Sequence, residues 1–142
     1  PTRALRSLAR ELSQHWLEGF GATYNPNRGE ALGIVSIVSD IEDVLLDVEQ
    51  RTKTRAKLVV TSAQPGKDSI SYQSFRARLH TSTDSHVLLF GTGWGLADEI
   101  MDRAELRLEP VYGPGEYNHL SVRGAAAIIF DRLRGQHAPQ KE

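Results

Sequence analysis

No cysteine occurs among the 142 residues, which removes disulfide scaffolds, thiolate nucleophiles and cysteine-bound metals at once. A reducing compartment suits such a chain, and a cytoplasmic location is expected. No apolar run approaches the roughly 20 residues that span a bilayer, and no secretory signal is visible. Neither sign of charge prevails, since 17 Lys and Arg against 18 Asp and Glu leave a formal net charge of -1. A broad basic surface is therefore excluded. Any nucleic-acid contact has to be a local patch or a surface completed by a partner. No G-x-S-x-G elbow is present, so a hydrolase triad has no support. His15, His80, His86, His119 and His137 lack ligand spacing, and no metal site is expected. The opening Pro1-Thr2-Arg3, without methionine, reads as the start of a fragment or a processed chain.

What is present reads as one globular domain over residues 1–135 with a frayed tail at 136–142. Apolar residues at three- and four-residue spacing (Leu5, Leu8, Leu12, Trp16) predict a helix from Arg3 to Glu18, with Thr2 as N-cap and Gly19 as stop. Phe20 to Gly29 reads as a loop, and Ala31 to Val38 as a buried strand. Asp40 is the expected cap of the next helix, which bears Ile41, Val44, Leu45 and Val48 on one face. Further strands are expected at Lys57 to Thr61, Val87 to Phe90 and Glu105 to Leu108. Helices are expected near Tyr72 to Leu79, Leu96 to Arg103 and Leu120 to Leu133. Alternation of this kind predicts an α/β fold with a mainly parallel sheet and helices on both faces. In such sheets ligands sit beyond the carboxyl ends of the strands, which singles out three exits: Thr61 to Gly66, Gly91 to Leu96, and Pro110 to Asn118.

Two of these exits carry the clearest functional pattern. Gly91-Thr92-Gly93-Trp94-Gly95 lets a ligand touch the backbone, because glycine has no Cβ to hold it away. The spacing is G-x-G-x-G and only half matches a dinucleotide fingerprint, for which Glu109 is the candidate ribose-binding carboxylate. A tight structural turn is the plain alternative. Tyr112 to Val122 packs Gly, Pro, Tyr117, Asn118 and His119 against a helix start that Asn118 or Ser121 can cap. Arg51, Lys53, Arg55 and Lys57 can meet RNA phosphate, or can complement the C-terminal dipole of the acidic helix before them. Arg3, Arg6, Arg10 and Arg28 are a second basic group, weighed slightly towards RNA.

The pairing of Leu88-Leu89-Phe90-Gly91-Thr92-Gly93-Trp94-Gly95-Leu96 with Tyr117-Asn118-His119-Leu120-Ser121-Val122-Arg123-Gly124-Ala125 resembles the last two motifs of the SPOUT methyltransferases. More narrowly, it is similar to a bacterial SPOUT group of S-adenosylmethionine-dependent RNA methyltransferases, sometimes fused to a tRNA guanine methyltransferase. His15-Trp16, Tyr24-Asn25-Pro26 and Thr61-Ser62-Ala63 extend the likeness over nearly the whole chain. The resemblance implies a C-terminal trefoil knot and a homodimer with its active site across two subunits. It also implies S-adenosyl-L-methionine held bent between three loops, with tRNA or rRNA as acceptor and no membrane partner. Carried over, the cofactor loops are Thr61, Ser62 and Ala63; Phe90, Gly91, Thr92, Gly93 and Gly95; and Pro110, Val111, Tyr112, Gly113, Asn118 and Leu120. Asn118, His119, Ser121 and Arg123 are the polar groups expected to orient the acceptor or take its proton. Relatives begin with a further strand and an arginine-bearing helix, so this chain is expected to be N-terminally incomplete. They also place a glutamate in the glycine loop where this sequence has Gly93 or Trp94. Two alternatives stand beside methyl transfer: a non-catalytic cofactor- or RNA-binding or dimerisation module attached to another methyltransferase, and a nicotinamide enzyme using Glu109.

Overall fold

The computed structural model describes residues 2–115 and 117–136, so the expected tail lies, apart from Gln136, outside the described residues. The chain divides into two compact units, residues 1–47 and 48–142. Among the described residues, no helix is long and apolar enough to cross a membrane.

The first unit is helical. Helix α1 (Arg3–Leu17) starts where the Thr2 hydroxyl accepts the Leu5 N–H at 3.4 Å, the N-cap that the sequence predicts. Helices α2 (Phe20–Tyr24) and α3 (Pro26–Gly33) then occupy the stretch expected to be a loop. The Asn25-Pro26 pair explains this correction. Asn25 accepts the Arg28 N–H at 3.2 Å and Pro26 takes the first helical turn, so residues that also suit a turn here start a helix. The strand expected at Ala31 to Val38 is likewise absent. Its first three residues complete α3, and Ile34 is 88% exposed. β-Branched residues favour a strand only where a neighbouring strand and a core receive them, and among the described residues no strand pairs with this segment. Trp16 organises the unit instead. A Cβ on Gly21 would run into its indole and one on Gly29 into its carbonyl, while the Arg28 guanidinium lies 4.3 Å over the ring.

Helix α4 (Ile41–Thr52) begins with the expected cap, Asp40 accepting the Asp43 N–H at 3.1 Å. It ends on Lys53, whose φ of 59° turns the chain while its N–H reaches the Glu49 carbonyl at 2.8 Å. The second unit continues through β1 (Ala56–Val60), β2 (Ser69–Ile70), α5 (Tyr72–Thr81), β3 (Ser85–Leu89), α6 (Asp98–Arg103), β4 (Leu106–Leu108) and α7 (Val122–Arg134). Only β2 was missed by the pattern of the sequence, because two residues carry no period. The strands form a sheet in the order β2-β4-β1-β3, and every pairing is parallel. Parallel neighbours need crossovers, and the helices supply them.

Successive side chains of a strand point to opposite faces, and Ala56, Leu58, Val59 and Val60 are all buried. Both faces of β1 are therefore covered. Val59 belongs to a core with Tyr72 and Phe75 of α5, Leu108 of β4, and Ile129 and Leu133 of α7. Full burial of a side chain such as Phe75 contributes about 1.5–3 kcal/mol, so this cluster fixes the sheet against its helices. The basic run is absorbed in part by the same unit. Arg55 pairs with Glu105 at 3.3 Å and Lys57 with Asp84.

Candidate functional site

Since β1, β3 and β4 are parallel, they release the chain on one side of the sheet. Val60 is in register with Leu89 of β3 and Arg107 of β4, with β1 between them. The three predicted exits therefore leave adjacent strands at nearly one level, which is the topological reason that residues 30–50 positions apart share a place.

The exit of β1 is tied to β3. Thr61 donates to the Leu89 carbonyl twice, through its hydroxyl at 2.8 Å and its N–H at 3.1 Å. Ser62 then accepts the Gln64 N–H at 3.0 Å, a local turn that leaves the Ala63 carbonyl pointing elsewhere. That carbonyl accepts the Asn118 amide Nδ2–H at 3.0 Å, and the Oδ1 of the same amide accepts the Gly113 N–H at 3.1 Å. Asn118 thus closes the loop that follows β4 and fastens it to the loop that follows β1. Pro110 and Val111 anchor the start of that loop, the first fully buried and the second packed on the core.

The glycine loop is built differently. The Gly95 N–H returns to the Thr92 carbonyl at 2.8 Å, and Gly95 has a φ of +83°, a region costly for any residue with a Cβ. Gly91 lies against the Gly95 backbone so closely that a Cβ would collide with it. Gly93 and Gly95 themselves face open space. Phe90 packs on the core from one side, 6.2 Å from the Phe130 ring. At the tip Trp94 is 100% exposed.

At the end of the third loop, Ser121 rather than Asn118 caps α7, accepting the Gly124 N–H at 3.1 Å. His119 lies 5.5 Å from the Tyr117 ring, and His119, Leu120 and Arg123 are exposed. Glu109 accepts the Tyr72 N–H at 2.7 Å and so serves the first turn of α5. The dinucleotide reading thereby finds its carboxylate already engaged. Burial raises the Tyr72 phenol above its ordinary pKa, against the opposing pull of Arg132, whose guanidinium lies 4.7 Å over the ring. Tyr72 is a core group. The structure joins Ala63, Gly113 and Asn118 directly by hydrogen bonds and ties Thr61 to Leu89, whereas the Cβ positions of Gly93 and Gly95 meet nothing. One feature escaped sequence reasoning. The Leu89 carbonyl that receives Thr61 has no side-chain signal. A shallow hollow of about 230 Å³, lined by Arg10, Leu17, Val35 and Ile37 among others, belongs to the first unit and contains none of the loop residues.

Residues 1–135 match the family model of SAM-dependent RNA methyltransferases. Over 135 residues the chain is 42% identical to a tRNA (guanine-N(1)-)-methyltransferase of Oleidesulfovibrio alaskensis, covering 95% of this chain and 31% of that protein. A tRNA (guanine-N(1)-)-methyltransferase of Nitratidesulfovibrio vulgaris is similar to the same extent. An uncharacterized protein of Aquifex aeolicus is 35% identical over 94% of this chain and 65% of its own length. The chain spans about a third of the length of the two tRNA methyltransferases.

Proposed function

This chain belongs to the family of SAM-dependent RNA methyltransferases, and we propose on that premise that its three strand exits hold S-adenosylmethionine for methyl transfer to a tRNA. The observation that carries the proposal is the convergence of the β1, β3 and β4 exits, fastened by Thr61 and Asn118. The loops suit the cofactor. Glycines with open space where a Cβ would stand admit close backbone approach, and Phe90 and Val111 offer apolar surface. Thr61, Ser62 and Ala63, then Phe90, Gly91, Thr92, Gly93 and Gly95, then Pro110, Val111, Tyr112 and Gly113 with Asn118 and Leu120, would hold it. When bound, the cofactor supplies an activated methyl group on sulfonium, and the protein supplies position and exclusion of water.

Asn118 and Ser121 act in this reading through the loops they fix. His119 and Arg123, both exposed at the entry to α7, are the side chains available to orient the acceptor and to hold its departing proton. The fold is read as SPOUT-like with a C-terminal knot. In support, β4 is inserted between β1 and the earlier β2, so the final segment leaves the middle of the sheet. A homodimer in the cytoplasm completes the proposal. Val122 and Phe130 of α7 are exposed apolar surface that pairing would bury.

The test is calorimetry with S-adenosylhomocysteine, followed by incorporation of labelled methyl groups into bacterial tRNA. Micromolar binding with incorporation is expected. No heat at millimolar ligand would sink the cofactor assignment. A second reading is a cofactor- or RNA-binding module without its own activity. It is favoured by the match to only 31% of each tRNA methyltransferase, whose activity belongs to the longer chain. Binding without incorporation supports that reading.

A further inference from the structure

An indole left wholly in solvent by folding is uncommon for the residue type with the most apolar surface to bury. Trp94 is such a case, and its place is defined. The turn that displays it is closed by the Gly95 N–H to Thr92 bond at 2.8 Å, by the positive φ of Gly95 and by the close seat of Gly91 on Gly95. Its glycine neighbours 93 and 95 have nothing within 4 Å of the position of a Cβ, so the approach past them is open. Tyr112 and Tyr117, on the loop that follows β4, are 60% and 82% exposed and leave the sheet at the same end.

Charge is the other half of the argument. An RNA ligand is ordinarily gripped through phosphates by Lys and Arg, yet this chain carries a net charge of -1. In its densest basic run Arg55 is paired with Glu105 and Lys57 with Asp84. Part of the positive charge in that run is therefore already engaged within the protein, which leaves a place for a second source of affinity. Stacking of bases on aromatic rings is such a source and adds to phosphate contact, because every base has a π-face.

We propose that Trp94 is a stacking platform for an unpaired base of the RNA, displayed by the glycine turn beside the cofactor loops. This rests on the reading of the family activity given above and adds to it the group that grips the acceptor. The base lies against the indole, with Tyr117 as a further platform, and the glycines on either side keep the ring free of neighbouring side chains. Trp94 is a positioning residue for the acceptor.

The experiment compares the wild type with Trp94→Phe, Trp94→Leu and Trp94→Ala. Each is titrated into a labelled single-stranded oligoribonucleotide of mixed sequence, without cofactor, and separately by calorimetry with S-adenosylhomocysteine. Trp94→Ala and Trp94→Leu are expected to weaken RNA binding roughly tenfold or more, and Trp94→Phe only slightly. S-Adenosylhomocysteine binding is expected to be equal in all four proteins. Leu restoring what Phe restores would overturn stacking in favour of simple apolar contact. A parallel loss of S-adenosylhomocysteine binding would assign the indole to the cofactor, and a fall in oligomeric mass with Trp94→Ala would assign it to a second copy; either result overturns the proposal. Wild-type protein that binds S-adenosylhomocysteine but not the RNA also overturns it, with the cofactor reading intact. Failure of S-adenosylhomocysteine binding alone strikes the cofactor reading and leaves the RNA comparison readable.

Discussion

The loop that follows β4 and the loop that follows β3 form two sides of the same candidate site, yet they are held by different means. The first depends on one side chain. Asn118 joins Gly113 and Ala63 with two amide hydrogen bonds and so ties the loop to the exit of β1. The second depends on the absence of side chains, since Gly91 and Gly95 make a turn that only bare backbone fits. A side-chain latch can be weakened by degrees through the choice of replacement. A glycine turn fails at the first added carbon where space is lacking, and tolerates it where space is open. The glycine loop should therefore show the larger and the smallest effects, with Asn118 between them.

The largest effect is expected at Gly91→Ala. The added Cβ would meet the Gly95 carbonyl carbon, oxygen and Cα together, all backbone, so no flexible side chain can give way. Overpacking of this kind costs about 1–3 kcal/mol. The turn must open, and S-adenosylhomocysteine affinity should fall with stability. Chemical denaturation and calorimetry check the two together. A variant that keeps both at wild-type values would show that the loop is not held by the Gly91–Gly95 contact.

Asn118→Ala comes next. Two hydrogen bonds of ordinary net worth amount to about 1–3 kcal/mol before the loop relaxes and water takes over part of the loss. Asn118→Asp sharpens the comparison. It keeps an acceptor for the Gly113 N–H but removes the donor to the Ala63 carbonyl and sets two acceptors against each other. If the tie between loops matters, Asp should resemble Ala in S-adenosylhomocysteine affinity. If closure of the single loop is enough, Asp should resemble the wild type.

How far this contrast was legible in the sequence follows from its physics. The glycine turn was visible, because glycines at 91, 93 and 95 announce backbone geometry by themselves. The bonds of Asn118 were not. The sequence offers Asn118 and Ser121 equally as caps for the last helix, and only the sheet brings Ala63, 55 positions back, within reach of the first. The β1 strand was readable because burial on both faces leaves a continuous apolar run. Ile34 to Val38 carries a similar run without any strand to pair with among the described residues, and its burial was misjudged for that reason. Asn25-Pro26 misled in a simpler way, since the same two residues open a turn or a helix.

The strand that carries the glycine loop gives a pH-dependent test. His86 of β3 packs edge-on against Phe75 at 5.2 Å, and burial, with the Arg78 charge adding to it, pushes its pKa below the ordinary 6.5. The unfolded chain takes up this proton as pH falls through 6.5, while the folded chain resists until a lower pH. Stability from this group is therefore complete above about pH 6.5 and declines below it, levelling off once the folded form is protonated as well. Urea midpoints from pH 8 to 5 should fall more steeply for the wild type than for His86→Phe. Equal slopes would remove His86 from the account.

The smallest effect on stability is expected at Gly93→Ala, and there the contrast between the two loops becomes a test for the ligand. Gly93 has no positive φ, and nothing lies within 4 Å of where its Cβ would stand. Removing a glycine from such a site even narrows the freedom of the unfolded chain, so stability should stay level or rise by about 0.4–1 kcal/mol. Nothing in the protein itself forbids the methyl group. If S-adenosylhomocysteine affinity nevertheless drops, the open space beside Gly93 is the space that the cofactor occupies. If affinity is unchanged while Gly91→Ala abolishes it, the glycine loop shapes the site from behind and the cofactor lies nearer the side that Asn118 fastens.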